Sequence, residues 1–146
     1  MKNNISKFGA WVVILTCLTI LTTPIASYAS DAESMRKLRL IVRYLKSEDA
    51  GCRDKANGEY LSSGNSYRVK TKLYKGSTYI IAGAGDSTVR DLDIIIYDQN
   101  FNKITKDTKT DSTPMVSFSP RWSGTFYIKV KMYSGYGYSN VVICYK

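Results

Sequence analysis

Apolar residues recur at three- and four-residue steps near the start of the chain. Met35, Leu38, Ile41, Val42 and Leu45 form the series, with Arg36, Lys37, Arg39, Arg43 and Lys46 between them. That period belongs to an amphipathic helix with one apolar face. Ser30 followed by Glu33 has the spacing of a capping box, and Gly51 suits a helix stop, so the pattern predicts one helix within 30–51. The apolar stripe is of ordinary width, which favours packing on the domain that follows. Docking on a partner protein through Met35, Leu38, Ile41 and Leu45 is the second reading.

After Asn57 the period changes to two. Tyr67, Val69, Thr71 and Leu73 alternate with Arg68, Lys70, Lys72 and Tyr74, as in a strand with one buried and one wet face. Further strands are expected in STYIIAGAG, in DLDIIIYD with Leu92, Ile94 and Ile96 inward, in KITKD, and in PMVSFSP with Val116 and Phe118 inward. GTFYIKVKMY places Phe126, Ile128, Val130 and Met132 on one face. The chain closes on SNVVICYK, with Gly135, Tyr136, Gly137 and Tyr138 read as a flexible hairpin before it. Short one-sided strands broken by Gly, Asn, Asp and Pro must bury their apolar faces on one another. The expected fold is therefore mainly β, an antiparallel sandwich of jelly-roll-like kind over 57–146, preceded by one α-helix.

The first 29 residues stand apart. Lys2 and Lys7, an apolar run from Ala10 to Leu21 and the small-residue exit Ser27, Tyr28, Ala29 match a cleavable signal peptide. The run is interrupted by Thr16 and Thr19, is followed by Thr22, Thr23 and Pro24, and falls short of the ~20 residues of a spanning helix, so no transmembrane segment is expected after cleavage. Export places the mature chain in a periplasm or outside the cell, where Cys52 and Cys144 are expected to form one disulfide. The formal charge of +9 favours anionic partners without selecting a specific nucleic acid. A monomer is expected. The chain has no histidine, which excludes Ser-His-Asp and Cys-His machinery and histidine-bearing zinc sites.

Three stretches carry a family pattern: Gly76 with Tyr79, Asp-Leu-Asp-Ile from Asp91 to Ile94, and Ser-Gly-Thr-Phe-Tyr from Ser123 to Tyr127. Roughly from Gly58 to Tyr145 the chain resembles the bacterial pre-peptidase C-terminal domain, in its stand-alone exported form. The resemblance implies a collagen-binding-like β-sandwich that is non-catalytic, with collagen-like polymers and sometimes calcium as ligands.

Two surfaces are then candidates. Asp86, Asp91 and Asp93 are oxygen donors of the kind calcium takes, although their spacing matches no EF-hand loop. The plainer reading is that Asp86 and Ser87 cap a turn, Asp91 and Asp93 keep an outer strand face wet, and Asp98 opens the Asp-Gln-Asn turn. No other cofactor is implied. The second surface is cationic: Arg68, Lys70 and Lys72 on one strand, and Tyr127, Lys129 and Lys131 on another, suit an anionic polymer held by charge and aromatic stacking. The expectation is a non-catalytic binding or accessory module for an extracellular polymer or a partner protein. Its alternatives are a small hydrolase using carboxylates alone and a subunit that docks through its helix.

Overall fold

The structure is a computed structural model that describes residues 29–53 and 55–146. The leader expected over 1–29 lies, up to residue 28, outside the described residues. The helix, α1, spans Asp31–Ser47 and is capped by Ser30, whose hydroxyl accepts from the Glu33 N–H at 3.3 Å. It does not run to Gly51. Glu48 is its C-cap, the Ala50 N–H reaches the Leu45 carbonyl at 3.0 Å, and Asp49 takes a left-handed φ of 60°. The reversal is thus complete before Gly51, which serves another purpose: a Cβ there would meet the Tyr145 ring at 2.8 Å.

Eight strands follow among the described residues: β1 (Gly51–Cys52), β2 (Asn57–Ser62), β3 (Ser66–Leu73), β4 (Tyr79–Gly85), β5 (Val89–Tyr97), β6 (Lys103–Lys106), β7 (Met115–Phe118) and β8 (Gly124–Tyr145). All pairings are antiparallel, and β8 organises them. Its first half lies between β3 and β5 in one sheet, which β6 extends. Its second half lies between β4 and the pair β1, β2 in the other, which β7 extends. The expected hairpin at Gly135 to Tyr138 is therefore absent. One strand of 22 residues turns the corner between the sheets there, with φ of 93° at Gly135 and 138° at Gly137. Only glycine suits this corner, because a Cβ on Gly135 would sit 2.5 Å from the Thr88 carbonyl oxygen and one on Gly137 2.4 Å from Asp86 Oδ1.

The two sheets enclose the main core. Leu73, Ile81, Leu92, Ile94, Ile96, Phe126, Ile128, Val130, Met132 and Val141 are all fully buried in it. The period-two expectation for β3, β5, β7 and β8 thus corresponds to one face turned to the opposite sheet. A second core lies outside the second sheet, where Leu38, Leu45 and Ala50 pack on Ala82, Ala84, Val142 and Cys144. Alanines at these outward positions let the helix approach closely. The same packing covers Leu38 and Leu45 and draws Met35 and Ile41 against the sheet. A partner cannot dock on that stripe while α1 is seated, which corrects the helix-docking alternative.

Cys52 and Cys144 are register partners on β1 and β8 and are joined by a disulfide across a sequence separation of 92. No helix among the described residues is long and apolar enough to cross a membrane.

Candidate functional site

The acids of the sequence 85–100 do different work from one another. Asp86 is fully buried and accepts four hydrogen bonds. Oδ2 takes the Ser30 N–H at 2.7 Å and the Tyr138 N–H at 2.9 Å, and Oδ1 takes the Thr88 N–H at 2.9 Å and its hydroxyl. The carboxylate thereby ties the helix start, the β4–β5 turn and the glycine corner of β8 to one point. It also completes the cap of α1. The capping-box pattern sends the Glu33 side chain back to the Ser30 N–H, but Asp86 holds that N–H instead. Glu33 accepts from the Ser87 N–H at 3.0 Å and its hydroxyl at 2.8 Å, and pairs with Lys37 at 3.2 Å.

Asp91 and Asp93 lie elsewhere, beside a cleft of about 160 Å³ shared with Lys106, Thr108, Lys109, Thr110 and Tyr133. The wet outer face expected for them is corrected here: Asp93 is only 6% exposed, and Asp91 Oδ1 is buried with no hydrogen-bond partner among the described residues. For Asp91 the cause is local: the register of β5 on β8 shifts on either side of it, and such a bulge redirects the side chain it carries. Asp93 keeps regular register with Lys131 and lies against the segment after β6, whose Asp107 N–H donates to the Ile94 carbonyl and whose Asp111 carbonyl accepts from the Leu92 N–H. The structure does not bring Asp86 together with Asp91 and Asp93. Among the described residues no three Cys, Asp or Glu side chains converge as a metal donor set. Asp86 also fits a cation poorly, because N–H and O–H donors already face both of its oxygens. Asp98 does open its turn, accepting from the Asn100 and Asn102 N–H groups at 2.8 Å each and from Asn102 Nδ2 at 2.9 Å. Those bonds, that of the Asn102 side chain foremost, hold the Asp98 carboxyl below its ordinary value.

Burial pushes the Asp93 carboxyl above its ordinary value of 3.8; Asp91 and Asp107 add to the rise, and Lys106 and Lys131 partly oppose it. The sign for stability follows from linkage. A carboxyl raised in the folded state binds its proton more tightly there, so the ionised form weighs against folding above the folded pKa. That penalty fades as pH falls toward 3.8. An Asp93→Asn variant is expected to melt higher than the parent at pH 7 and to lose the advantage near pH 4, as scanning calorimetry at the two pH values will show. A variant that melts lower at pH 7 would mean that the carboxylate has a stabilising partner.

The basic residues of β3 and β8 do converge. Pairing places Arg68 beside Lys129, which is beside Ile95, which is beside Lys106; the next rung runs Lys70, Tyr127, Tyr97, Lys103 by direct and bulged pairings. Ser66, Lys131 and Asp93 form a third rung, and Lys72 stands beside Thr125. The outer face of the first sheet thus presents Arg68, Lys70, Lys72, Lys129 and Lys131 around a central Tyr127.

An aromatic residue without a place in the sequence reading completes this face. Phe101, held at φ 62° in the β5–β6 turn and 54% exposed, stacks on Tyr127 with centroids 4.6 Å apart and planes at 20°. The Arg68 guanidinium lies 5.8 Å from the centre of the Phe101 ring, and Lys131 Nζ lies 4.1 Å from that of Tyr133. The signal for Phe101 was an apolar ring straight after Asp-Gln-Asn, where turn chemistry wants a polar residue. At the strand's edge the face continues into a cleft of about 460 Å³ between β2 and β3, bordered by Lys55, Glu59, Arg68 and Lys70.

No protein-family model matches the sequence, and no curated protein is similar to it. Solved structures share the fold at low identity. One is a periplasmic inhibitor of g-type lysozyme from Aeromonas hydrophila, with TM-score 0.51 and 10% identity, covering 66% of this chain and 89% of that one. Another is the pre-peptidase C-terminal domain of a collagenase from Bacillus anthracis, with TM-score 0.50 and 13% identity, covering 61% of this chain and 87% of that one. The fold is accordingly like that of the pre-peptidase C-terminal domain, an antiparallel β-sandwich, here carrying an added N-terminal helix.

Proposed function

We propose that the chain is an exported, non-catalytic binding module that holds an anionic polymer across the outer face of its first sheet. The carrying observation is the pairing register, which gathers five cations from β3 and β8 around the stacked Tyr127–Phe101 pair. A repeating anion matches a face of this kind: charges sit on neighbouring rungs, and strand neighbours are ~4.8 Å apart. The aromatic pair adds a ring surface for a flat or apolar repeat unit. Two solved structures of the same fold, an inhibitor of g-type lysozyme and the pre-peptidase C-terminal domain of a collagenase, are in keeping with a binding role.

A carboxylate-only hydrolase has less support. Its best pair, Asp91 and Asp93, borders a cleft of about 160 Å³, well under the ~300 Å³ at which ligand pockets begin. Export rests on the leader and on the disulfide, a bond kept in oxidising compartments.

The test is binding of fluorescent polyglutamate and dextran sulfate, with neutral dextran and a collagen-like Gly-Pro-Pro peptide as comparators. Binding should weaken as salt rises, and a Lys70→Gln, Lys129→Gln double variant should bind about tenfold more weakly, since an exposed charge contact is worth up to about 1 kcal/mol. Equal binding of neutral dextran, or no change in the double variant, would defeat this reading. Binding of the collagen-like peptide alone would replace it with the ligand class implied by the resemblance.

A further inference from the structure

A groove runs along the other side of the molecule, between α1 and the segment around β1. Its volume is about 390 Å³, within the range of small-ligand sites. Met35, Leu38 and Val42 line it from the helix, and Ala56 and Val142 line it from the sheet. Cys52, half-buried at its wall, belongs to the disulfide. The rim is different in kind: Arg39, Arg43, Lys46 and Arg53 border the groove, and none of its described lining residues is acidic. The ion pair found among the described residues joins Lys37 to Glu33, so the four rim cations lack carboxylate partners there. Arg53 is moreover pre-oriented. Its Nη1 donates to Thr71 Oγ1 at 2.5 Å and its Nη2 to the Lys72 carbonyl at 3.0 Å. Both acceptors are neutral and offset none of the guanidinium's charge, and it keeps N–H groups to spare.

From this pairing of an apolar floor with a cationic rim that has no carboxylate partner among the described residues, we infer that the groove binds an amphiphile with one acyl chain and an anionic head. The chain lies along the half-buried Met35 and Val42, a run of about 10 Å along the helix, and the head meets Arg39 and Arg43. An acidic peptide suits the groove less well. Its backbone N–H and C=O groups need partners, and a floor of Met, Leu, Val and Ala side chains offers none. The site stands apart from the sheet face that holds the proposed polymer and does not rest on that reading.

The experiment uses the exported, disulfide-bonded protein and displacement of a fluorescent fatty acid. Palmitate and hexadecyl phosphate are the charged competitors, the first with a carboxylate head and the second with a phosphate. Hexadecanol tests the need for charge, and inorganic phosphate tests the need for a chain. Saturable displacement by palmitate or hexadecyl phosphate is expected, with hexadecanol at least about tenfold weaker and inorganic phosphate inactive. Arg39→Gln, Arg43→Gln, at exposed helix positions, should weaken palmitate about tenfold, as loss of a charge-assisted contact does. Val42→Trp, which fills the groove, should abolish binding, and its melting curve shows whether the fold survives. Lys70→Gln, Lys129→Gln should leave palmitate binding intact. No saturable displacement, equal competition by hexadecanol, or unchanged affinity in the arginine double variant would each overturn the inference.

Discussion

An Asp86→Ala variant is expected to lose about 3 to 5 kcal/mol of stability, the largest effect of a single side chain in this protein. The substitution removes the acceptor of three backbone N–H groups, those of Ser30, Thr88 and Tyr138, together with the Thr88 hydroxyl. A buried donor left without a partner costs about 1 to 3 kcal/mol, and bonds to an ionised group are the stronger kind. The sum is held down because the Ser30 and Tyr138 contacts are only partly buried, so water can replace some of what is lost. Asp86→Asn keeps the shape but loses the charge and turns an amide N–H₂ toward existing donors, so it should also destabilise, by less. Asp91→Asn is the control. Its Oδ1 is buried with no partner among the described residues, so the change should be neutral or slightly stabilising. Urea unfolding of the three variants decides the matter through their midpoints at unchanged slope. If Asp86→Ala costs less than about 1 kcal/mol, the carboxylate is not the tie between helix, turn and corner.

Removing the disulfide ranks second. Cys52→Ala, Cys144→Ala frees a loop whose ends are 92 residues apart, for which the chain-entropy picture gives about 4 to 5 kcal/mol and removal of native disulfides typically costs about 2 to 5. For a folded unit of this size that is a fall in melting temperature of roughly 10 to 20 °C. The loss should begin at one place. β1 is only two residues long, and the helix core includes Cys144 with Cys52 packed against it, so the cross-link fastens α1 and β1 to the last strand together. Hydrogen exchange should therefore quicken in α1 before it does in β5 or in the first half of β8. Uniform acceleration throughout would show that the helix layer and the sandwich unfold as one unit.

Both effects concern contacts that join segments far apart in sequence: the disulfide was legible because the mature chain holds only two cysteines, whereas nothing local marked Asp86 as the tie between helix, turn and corner. The strands β4 and β5, covered on both faces over most of their length, were legible as short apolar runs bounded by turn residues. The strands β3, β6 and β7 were legible because each has a face in water, and that alternation is a local property. The helix was legible for the same reason. Its end was not, since the chain reverses at Asp49 through hydrogen bonds to its last turn and leaves Gly51 to make room for Tyr145. The corner of β8 was misread as a hairpin because glycine serves both a tight turn and a strand that bends between sheets. Only the neighbouring strands, β2 on one side and the start of β5 on the other, decide between the two.

The surfaces divide in the same way. Alternation alone put Arg68, Lys70 and Lys72 on one side of a strand, and Tyr127, Lys129 and Lys131 on one side of another. That the two sets adjoin is a matter of register, which follows from how the strands pair. Phe101 reaches Tyr127 only because Asp98 folds the turn back over the sheet. The acids of 85–100 read alike in sequence, yet one is a buried hydrogen-bond hub, one sits at a bulge with another two residues beyond it, and one opens a turn. By itself, then, the sequence determined the period of each element, the disulfide and the sign of the surface charge. Tertiary structure alone decided what each outward face meets: the helix on one sheet, and on the other solvent over β3 but the segment after β6 beside Asp93. Burial of an outward-facing residue depends on a partner brought from elsewhere in the chain, and no local pattern encodes that partner.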